Sequence, residues 1–514
     1  MTAPAPSATV LRLHPDDDVV IALEALAPGA EVATPDGPVT VVAGVPAGHK
    51  LAVRALAPGA PVRRYGHVIG AATAPIRPGD HVHTHNLSAA LAPRAEDLVA
   101  EAGADLGAPP PAPAPRTFDG FLRADGRAGT RNHLAVLSTV NCSASVCGMV
   151  ADRFRDVARH HPGVDGVLAF THRSGCGMVA DGDAHRLLER VLAGHALHPN
   201  VAGYVVVGLG CEVNQPVALV DRRLAGPRAP RPPVITIQEA GGTLRAAEAA
   251  VREVARLLPA AAAARRTPLP LSKLVLATNC GGSDGYSGIT ANPALGVAVD
   301  LLVRHGGTAI LGETTEIHGA ERLLVRRAVR PDLARRLLQH VAWWRAHLGA
   351  ASASLDENPS PGNRAGGITT ILEKALGGVA KGGRAPLVDV VEYGEPAVGP
   401  GLVYMDTPGF DPVSVTGMIA GGANLVAFTT GRGSVFGTRI VPTLKLATTS
   451  ALYRRMPDDM DVDCGVVLEG TPLEELGAAI LDRLVEVASG RTTKSEALGL
   501  GAEEFAPWLP GPVV

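Results

Sequence analysis

The sequence predicts an α/β protein: a small β-rich N-terminal module followed by α/β domains built on parallel sheets. Three observations predict it. From residue 118 onward, continuous apolar runs (LAVLST, GVLAF, YVVVGLG, PVITIQ) alternate with helical patterns such as AHRLLERVLAGHAL and LRAAEAAVREVARLL. That alternation marks a parallel sheet buried on both faces. Before residue 87 the apolar runs are short and separated by turn signals, and a Pro/Ala tract divides the two regions.

Residues 8–86 read as the β-rich module. The runs VVIAL, VTVV, KLAVRAL and VIGAAT are punctuated by PG at 28–29, PDG at 35–37, PG at 58–59 and PGD at 78–80, the residues that turns demand. Residues 87–117, ending in GAPPPAPAPRT, cannot hold a core and read as a semi-rigid linker. Residues 118–267 form the first α/β domain. The stretch AAAARRTPLPLS closes it, and KLVLATNC opens the second, 268–514. There LGVAVDLLVRHG reads as a helix and TAILGET as a strand, the polar loop SLDENPSPGNRAGGITT interrupts the pattern, and a final unit runs from GLVYMDTP to ELGAAILDRLVEVASG.

Composition narrows the function. The 514 residues are 46% hydrophobic and 19% charged, with a net charge of −3 and only 3% aromatics. Neither a basic footprint nor a stacking surface for nucleic acid is present. The start MTAPAPSATVLRLHPDDD lacks a basic segment followed by an apolar run, and no stretch approaches the roughly 20 apolar residues of a membrane helix. A cytoplasmic location without membrane attachment is expected, where structural disulfides are rare.

Four of the six cysteines fall where a strand ends and a loop begins: Cys142, Cys176, Cys211 and Cys280. Their spacings of 34, 35 and 69 residues fit one, one and two strand–helix units of roughly 30 or more residues each. Parallel strands bring their C-terminal ends to one edge, so the four thiols are expected to meet. Thiols that meet bind metal or do redox chemistry, and three thiolates with an open position suit iron, as a single ion or in a cluster. No CxxC pair surrounds the four sites, which argues against an electron-transfer protein.

Further loops carry polar groups. Cys280–Pro293 (CGGSDGYSGITANP) places Ser283, Asp284 and Tyr286 among glycines whose amides can approach an anion. The stretch PSPGNRAGGITTILEK offers Asn363, Arg364 and Lys374 for a carboxylate, and FTTGRGS offers Arg432. Arg127 and Arg131 precede the first strand of the α/β region and either bind a carboxylate or pair with acidic neighbours. In HVHTHN, alternation on a strand puts His81, His83 and His85 on one face, with His49 as a further neighbour, a metal or acid–base pattern.

These blocks together resemble the altronate/galactarate dehydratase family. GHKLAVRAL…VRRYGHVIGAAT…GDHVHTHN is similar to its N-terminal SAF-type module. DGFLRADGRAGTRN…STVNCSASVC, GLGCEVNQ, NCGGSDGYSGITANPALG, NPSPGNRAGGITTILEKALG and FTTGRGS…PTLKLAT resemble the rest, from about residue 8 to the C-terminus. The resemblance implies a hydro-lyase that takes water from an altronate-type hexonate or a galactarate-type hexarate and yields a 2-keto-3-deoxy sugar acid. It implies Fe2+ as cofactor, with an iron–sulfur cluster or Mn2+ as alternatives, and a homo-oligomer, a dimer being favoured. Within that reading the metal falls to Cys142, Cys176, Cys211 and Cys280 or to His83 and His85. His172, Tyr286 and His318 are candidates for the base, with Asp284 orienting it. Arg127, Arg131, Ser283, Asn363, Lys374 and Arg432 are candidates for holding substrate. A sulfo-lyase acting on sulfolactate and a non-catalytic sugar-acid sensor are the alternatives; no DNA-binding segment is evident for the sensor.

Overall fold

The structure, a computed structural model, describes residues 9–89, 98–107, 111, 113–226, 231–397 and 399–510. Within the expected linker, 87–117, residues 90–97, 108–110 and 112 lie outside the described residues, and Leu98 packs into the large core of the second α/β region.

The turn-rich N-terminal sequence folds into short antiparallel strands. Val10–Leu11, Val19–Ala22, Lys50–Ala52 and His81–Val82 form a four-stranded sheet in that order, and Pro61–Arg64, His67–Ala72 and Leu87–Ser88 form a second sheet. Alternation decides which core each residue joins: Val20 and Leu51 pack into one cluster, Val19 and Ala52 into the other. One expectation needs correction here. The strand ends at Val82, and His83 and His85 lie in a turn. Asn86 makes that turn, accepting from the His83 amide at 2.9 Å and donating to the His81 carbonyl at 3.1 Å.

The apolar runs after residue 118 become buried parallel strands. Gly166–Phe170, His133–Ser138, Val201–Gly208 and Val234–Thr236 form a four-stranded sheet in that order. The helix Asp183–Ala196 contributes Leu188 and Leu192 to the core on one side, while Thr243–Ala263 contributes Ala246, Ala250 and Val254 on the other. The second α/β region carries a seven-stranded parallel sheet, ordered Leu387–Val391, Gly401–Met405, Thr308–Leu311, Val275–Cys280, Leu425–Thr430, Thr443–Ala447, Val462–Asp463. Its helices Ala291–Arg304 and Leu473–Ala488 share one large core, and Asp411–Ala420 packs against Asp183–Ala196 of the neighbouring unit. The expected boundary at 267/268 falls inside the strand Thr267–Pro270, which pairs antiparallel with Thr117–Leu122, so the chain enters and leaves the first α/β unit side by side.

The long polar loop is also more ordered than its sequence suggests. Ser360 and Asn363 form a capping box that starts the helix Pro361–Ala365, and Thr370 caps Ile371–Val379. Among the described residues no helix is long and apolar enough to cross a membrane.

Candidate active site

The seven-stranded sheet begins at its centre. Val275–Cys280 is its first strand; the chain goes to one side through Thr308–Leu311 and later to the other through Leu425–Thr430. Ligands of open α/β sheets bind beyond the C-terminal ends of the strands at such a reversal. Here those ends carry the Gly-rich loop after Cys280 and the TTGRG loop after Phe428. Backbone bonds lace the two together: Gly431 and Arg432 amides donate to the Gly282 carbonyl at 3.1 and 2.8 Å.

The N-terminal module covers this edge. Arg64 Nη2 donates to the Gly285 carbonyl at 2.6 Å, and the Tyr286 hydroxyl donates to the Ala22 carbonyl at 3.0 Å. Gly285 has to be glycine, because a Cβ there would stand 2.2 Å from the Gly48 carbonyl of the module. Between module and sheet lies a cavity of about 470 Å³, lined by Leu23 and Ala47 from the module and by Asp284, Tyr286, Gly366, Arg432, Ser450, Arg454, Arg455 and Glu469.

Asp284 is the buried charge of this cavity. Burial raises its pKa, opposed by bonds from the Ser287 hydroxyl at 3.0 Å, the Thr448 hydroxyl at 3.1 Å and the Tyr286 amide at 3.1 Å. Gly431 gives it room: a Cβ there would stand 2.1 Å from the Asp284 carboxyl carbon. Arg432, Arg454 and Arg455 line the same cavity and none forms an ion pair among the described residues. Three guanidiniums without a carboxylate partner among the described residues, lining one concavity, can hold an anion. Arg454 and Arg455 went unnoticed in the sequence, where they sit in a short helix, Ser450–Arg455, with no motif around them.

Beneath the loop lies a buried polar network. The Cys280 thiol lies 3.8 Å from Glu313 Oε2 and 3.7 Å from Glu316 Oε2. Lys381 Nζ is 2.8 Å from the same sulfur and also bonds Glu313. Lys374 Nζ bonds Glu316 Oε1 and Asn358 Oδ1, both at 2.7 Å. Asp411 accepts from Asn279 Nδ2 at 2.9 Å. Burial and neighbouring carboxylates push Asp411 up to about 8 and Glu313 to about 7, while burial and Glu313 push the Cys280 thiol to about 12. Glu313 is held at φ 66°, a left-handed conformation that a side chain rarely adopts. Cys280, Glu313 and Glu316 offer ligand atoms mutually within 4.8 Å. Sequence reading missed both glutamates; the signal was their position just past the strand TAIL, in GETTE.

A cluster of histidines lies in the module, near the loop that carries Ala365. His49 Nδ1 lies 3.0 Å from His81 Nε2, and the His81 and His85 rings are 5.5 Å apart. Burial lowers His49 to about 4 and His81 to about 3, so both rings are neutral at pH 7. His83 has both nitrogens engaged: the Thr84 amide donates to Nδ1 at 2.7 Å, and Nε2 lies 2.9 Å from the Arg364 carbonyl.

The remaining candidates lie elsewhere. The four thiols do not converge: Cys280 is buried in the seven-stranded sheet, while Cys142, Cys176 and Cys211 are exposed at the four-stranded one. The 69-residue gap before Cys280 contains a change of sheet, which spacing alone does not reveal. His172 is buried with Nε2 3.0 Å from the Ser138 carbonyl and Nδ1 accepting from the Ser174 amide. Burial lowers it to about 4, and it shapes a loop of the four-stranded sheet rather than facing the cavity. His318 pairs with Glu321 at 3.2 Å and lines a different cavity, beside Arg322 and Arg326. Arg127 is spent on Asp125 and the Leu197 carbonyl. Arg131 is spent on Glu496, at 2.6 and 2.8 Å, and fastens the C-terminal segment. Tyr286 is tied to the module, and Asn363 positions the loop by donating to the Ser283 carbonyl at 2.8 Å. Of the sequence candidates, Asp284, Tyr286 and Arg432 line the cavity, Ser283 and Asn363 shape its wall, and Cys280 and Lys374 join the network below.

Known proteins resemble this chain in sequence along its whole length. Residues 8–90 match the altronate/galactarate dehydratase SAF domain, 120–262 the D-galactarate dehydratase/altronate hydrolase second domain, and 271–513 the D-galactarate/altronate dehydratase C-terminal domain. The altronate dehydratase of Escherichia coli (strain K12) is 37% identical over 95% of this chain and 96% of its own. The chain belongs to the altronate/galactarate dehydratase family. Its expected α/β architecture with an N-terminal SAF module and its place among hydro-lyases are borne out. The galactarate dehydratase (L-threo-forming) of the same organism is 35% identical over 99% of this chain and 98% of its own. The (2R)-sulfolactate sulfo-lyase subunit beta of Chromohalobacter salexigens is 36% identical but covers 75% of this chain and 95% of its own. In this family member the SAF module is part of the cavity wall, through Leu23 and Ala47.

Proposed function

We propose that this family member dehydrates a hexonate or hexarate of the altronate or galactarate kind to a 2-keto-3-deoxy sugar acid in the cavity between module and sheet. The carrying observation is that three exposed arginines without an ion pair among the described residues line the same cavity as the buried Asp284. The arginines hold the substrate carboxylate and so acidify the adjacent C–H. Asp284 accepts the α proton, the β carbon–oxygen bond breaks, and the hydroxyl departs as water once protonated. The resulting enol tautomerises to the 2-keto acid. The sugar-acid reading is preferred over sulfolactate because the sugar-acid relatives extend over 95–99% of the chain and the sulfo-lyase subunit over 75%.

Iron(II), with manganese(II) as alternative, is the proposed cofactor, and Cys280, Glu313 and Glu316 are the residues to hold it. A thiolate with two carboxylates suits a borderline divalent ion, and the Lys381 ammonium beside the sulfur stands in for such a cation. Bound there, the ion supplies a Lewis acid for a hydroxyl or carboxylate oxygen. A second reading places it on the histidines, favoured by the 3.0 Å approach of His49 Nδ1 to His81 Nε2. Metal analysis of the anaerobically purified protein separates the two: Cys280→Ser removes the iron that is not accompanied by acid-labile sulfide in the first, His81→Ala in the second. Assays for 2-keto acid from altronate, galactarate and sulfolactate test the reaction. Product from sulfolactate alone overturns it, and full activity in excess chelator overturns the metal role. The proposed dimer is checked by light scattering.

A further inference from the structure

Three cysteines outside the cavity follow the ends of neighbouring strands at the C-terminal edge of the four-stranded sheet. The three strands that lead to them are neighbours, and their ends are level: Leu137 pairs with Phe170 and Ser138 with Val207. Cys142 follows in the first turn of the helix Asn141–Arg153, and Cys176 and Cys211 follow in loops. Those segments bind one another. The Asn141 amide donates to the Ser174 carbonyl at 2.8 Å, the Asn214 amide to the Gly175 carbonyl at 3.0 Å, and Asn214 Nδ2 to the Thr139 carbonyl at 2.8 Å. All three thiols are exposed, whereas Cys147, Cys280 and Cys464 are buried.

A packing role does not account for three exposed thiols on three interlocked loops. Nor does a single ion: the three sulfurs are not mutually within 4.8 Å, as tetrahedral coordination at about 2.3 Å per bond requires. With neighbouring strands about 4.8 Å apart, thiols on three successive strand ends suit a body several atoms wide. Two further features fit a sulfur-rich occupant. Gln238 Nε2 donates to the Cys211 sulfur at 3.5 Å, and hydrogen bonds to sulfur tune cluster potentials. Asn214 Oδ1, on the same loops, is buried with no partner among the described residues.

We propose that Cys142, Cys176 and Cys211 ligate three irons of a [4Fe–4S] cluster whose fourth iron is left to an oxygen ligand. The site is separate from the cavity, and the inference does not rest on the dehydration reading.

The test uses the full chain, purified anaerobically and reconstituted with ferric iron, sulfide and excess thiol reductant. The expected result is about four irons and four acid-labile sulfides per chain, with broad visible absorption that fades on oxidation. Any iron in the network beneath the cavity adds no sulfide. Cys142→Ser, Cys176→Ser and Cys211→Ser each lose most of the sulfide, while Cys147→Ala keeps it. Because a variant can fail to fold, thiol alkylation of the unmodified protein, read by mass spectrometry, is the second measurement: the three cysteines react in the apo form and are protected after reconstitution. Absence of bound sulfide in folded protein, or equal alkylation of the three in both forms, overturns the proposal.

Discussion

Lys50 Nζ of the N-terminal module lies 2.8 Å from Oε1 of Glu373 in the helix Ile371–Val379, and both side chains are closed to water. Arg64 of the module bonds the same carboxylate, and Thr369 donates to its other oxygen through amide and hydroxyl. One carboxylate thus fastens two module cations over the loops that wall the cavity.

Removing that anion leaves two buried cations unpaired. Glu373→Gln is expected to cost about 3–5 kcal/mol. A urea titration that shows less than about 1 kcal/mol of loss refutes the role assigned to Glu373.

The same residue sets a pH dependence. Burial raises Glu373, but Lys50 and Arg64 outweigh it and hold the carboxyl at about 2, against 4.5 for the free group. Burial, with the nearby Arg64 charge, lowers Lys50 to about 8 against the pull of Glu373, so at neutral pH the pair is still ionised. A depressed folded pKa stabilises above the unfolded value and is lost below it. Thermal melting should therefore show stability falling from about pH 4.5 towards pH 2, and Glu373→Gln should flatten that part of the curve.

Asp284→Asn keeps the shape of the cavity and removes its base. Loss of a general base costs about 10²–10⁴ in rate, so kcat is expected to fall by that factor with KM little changed. A variant that keeps more than a tenth of wild-type kcat refutes the assignment.

Arg432→Ala and Arg455→Ala each remove a charged donor from the cavity. Hydrogen bonds to charged groups contribute about 1.5–3 kcal/mol, so KM for the sugar acid is expected to rise about 10- to 100-fold. Arg127→Ala, exposed and bonded to Asp125, should leave KM unchanged.

Gly431→Ala places a methyl where the Asp284 carboxyl sits. Overpacking of this kind costs about 1–3 kcal/mol, and activity should fall more than stability because the displaced group is the base. Equal activity at the wild-type level contradicts this placement of Asp284.

Particular residues show how far the sequence could be read. The strands and helices around Cys280 were legible because a buried parallel sheet forces continuous apolar runs, and the Gly-rich loop was legible because close backbone approach forces glycine. Asp284 and Arg432 were found in this way. Glu313, Glu316 and Arg454 were not, because carboxylates and arginines in loops look alike whether they face solvent or a cavity. Arg131 was left between binding a carboxylate and pairing with an acidic group for the same reason: its partner Glu496 lies 365 residues away. His172 and His318 looked equally available, and only their neighbours show one locked in a loop and the other beside Glu321.

By itself the sequence determined the fold class, the β-rich module and the loops that carry chemistry, since periodicity, turn residues and glycine act over a few positions. The tertiary structure decided which of those loops meet. It parted Cys280 from the other three thiols, closed the module over Asp284 through Lys50, Arg64 and Glu373, and gathered Glu313 and Lys381 around one sulfur. Those outcomes depend on strand order and on contacts between residues tens to hundreds of positions apart, which no local pattern encodes.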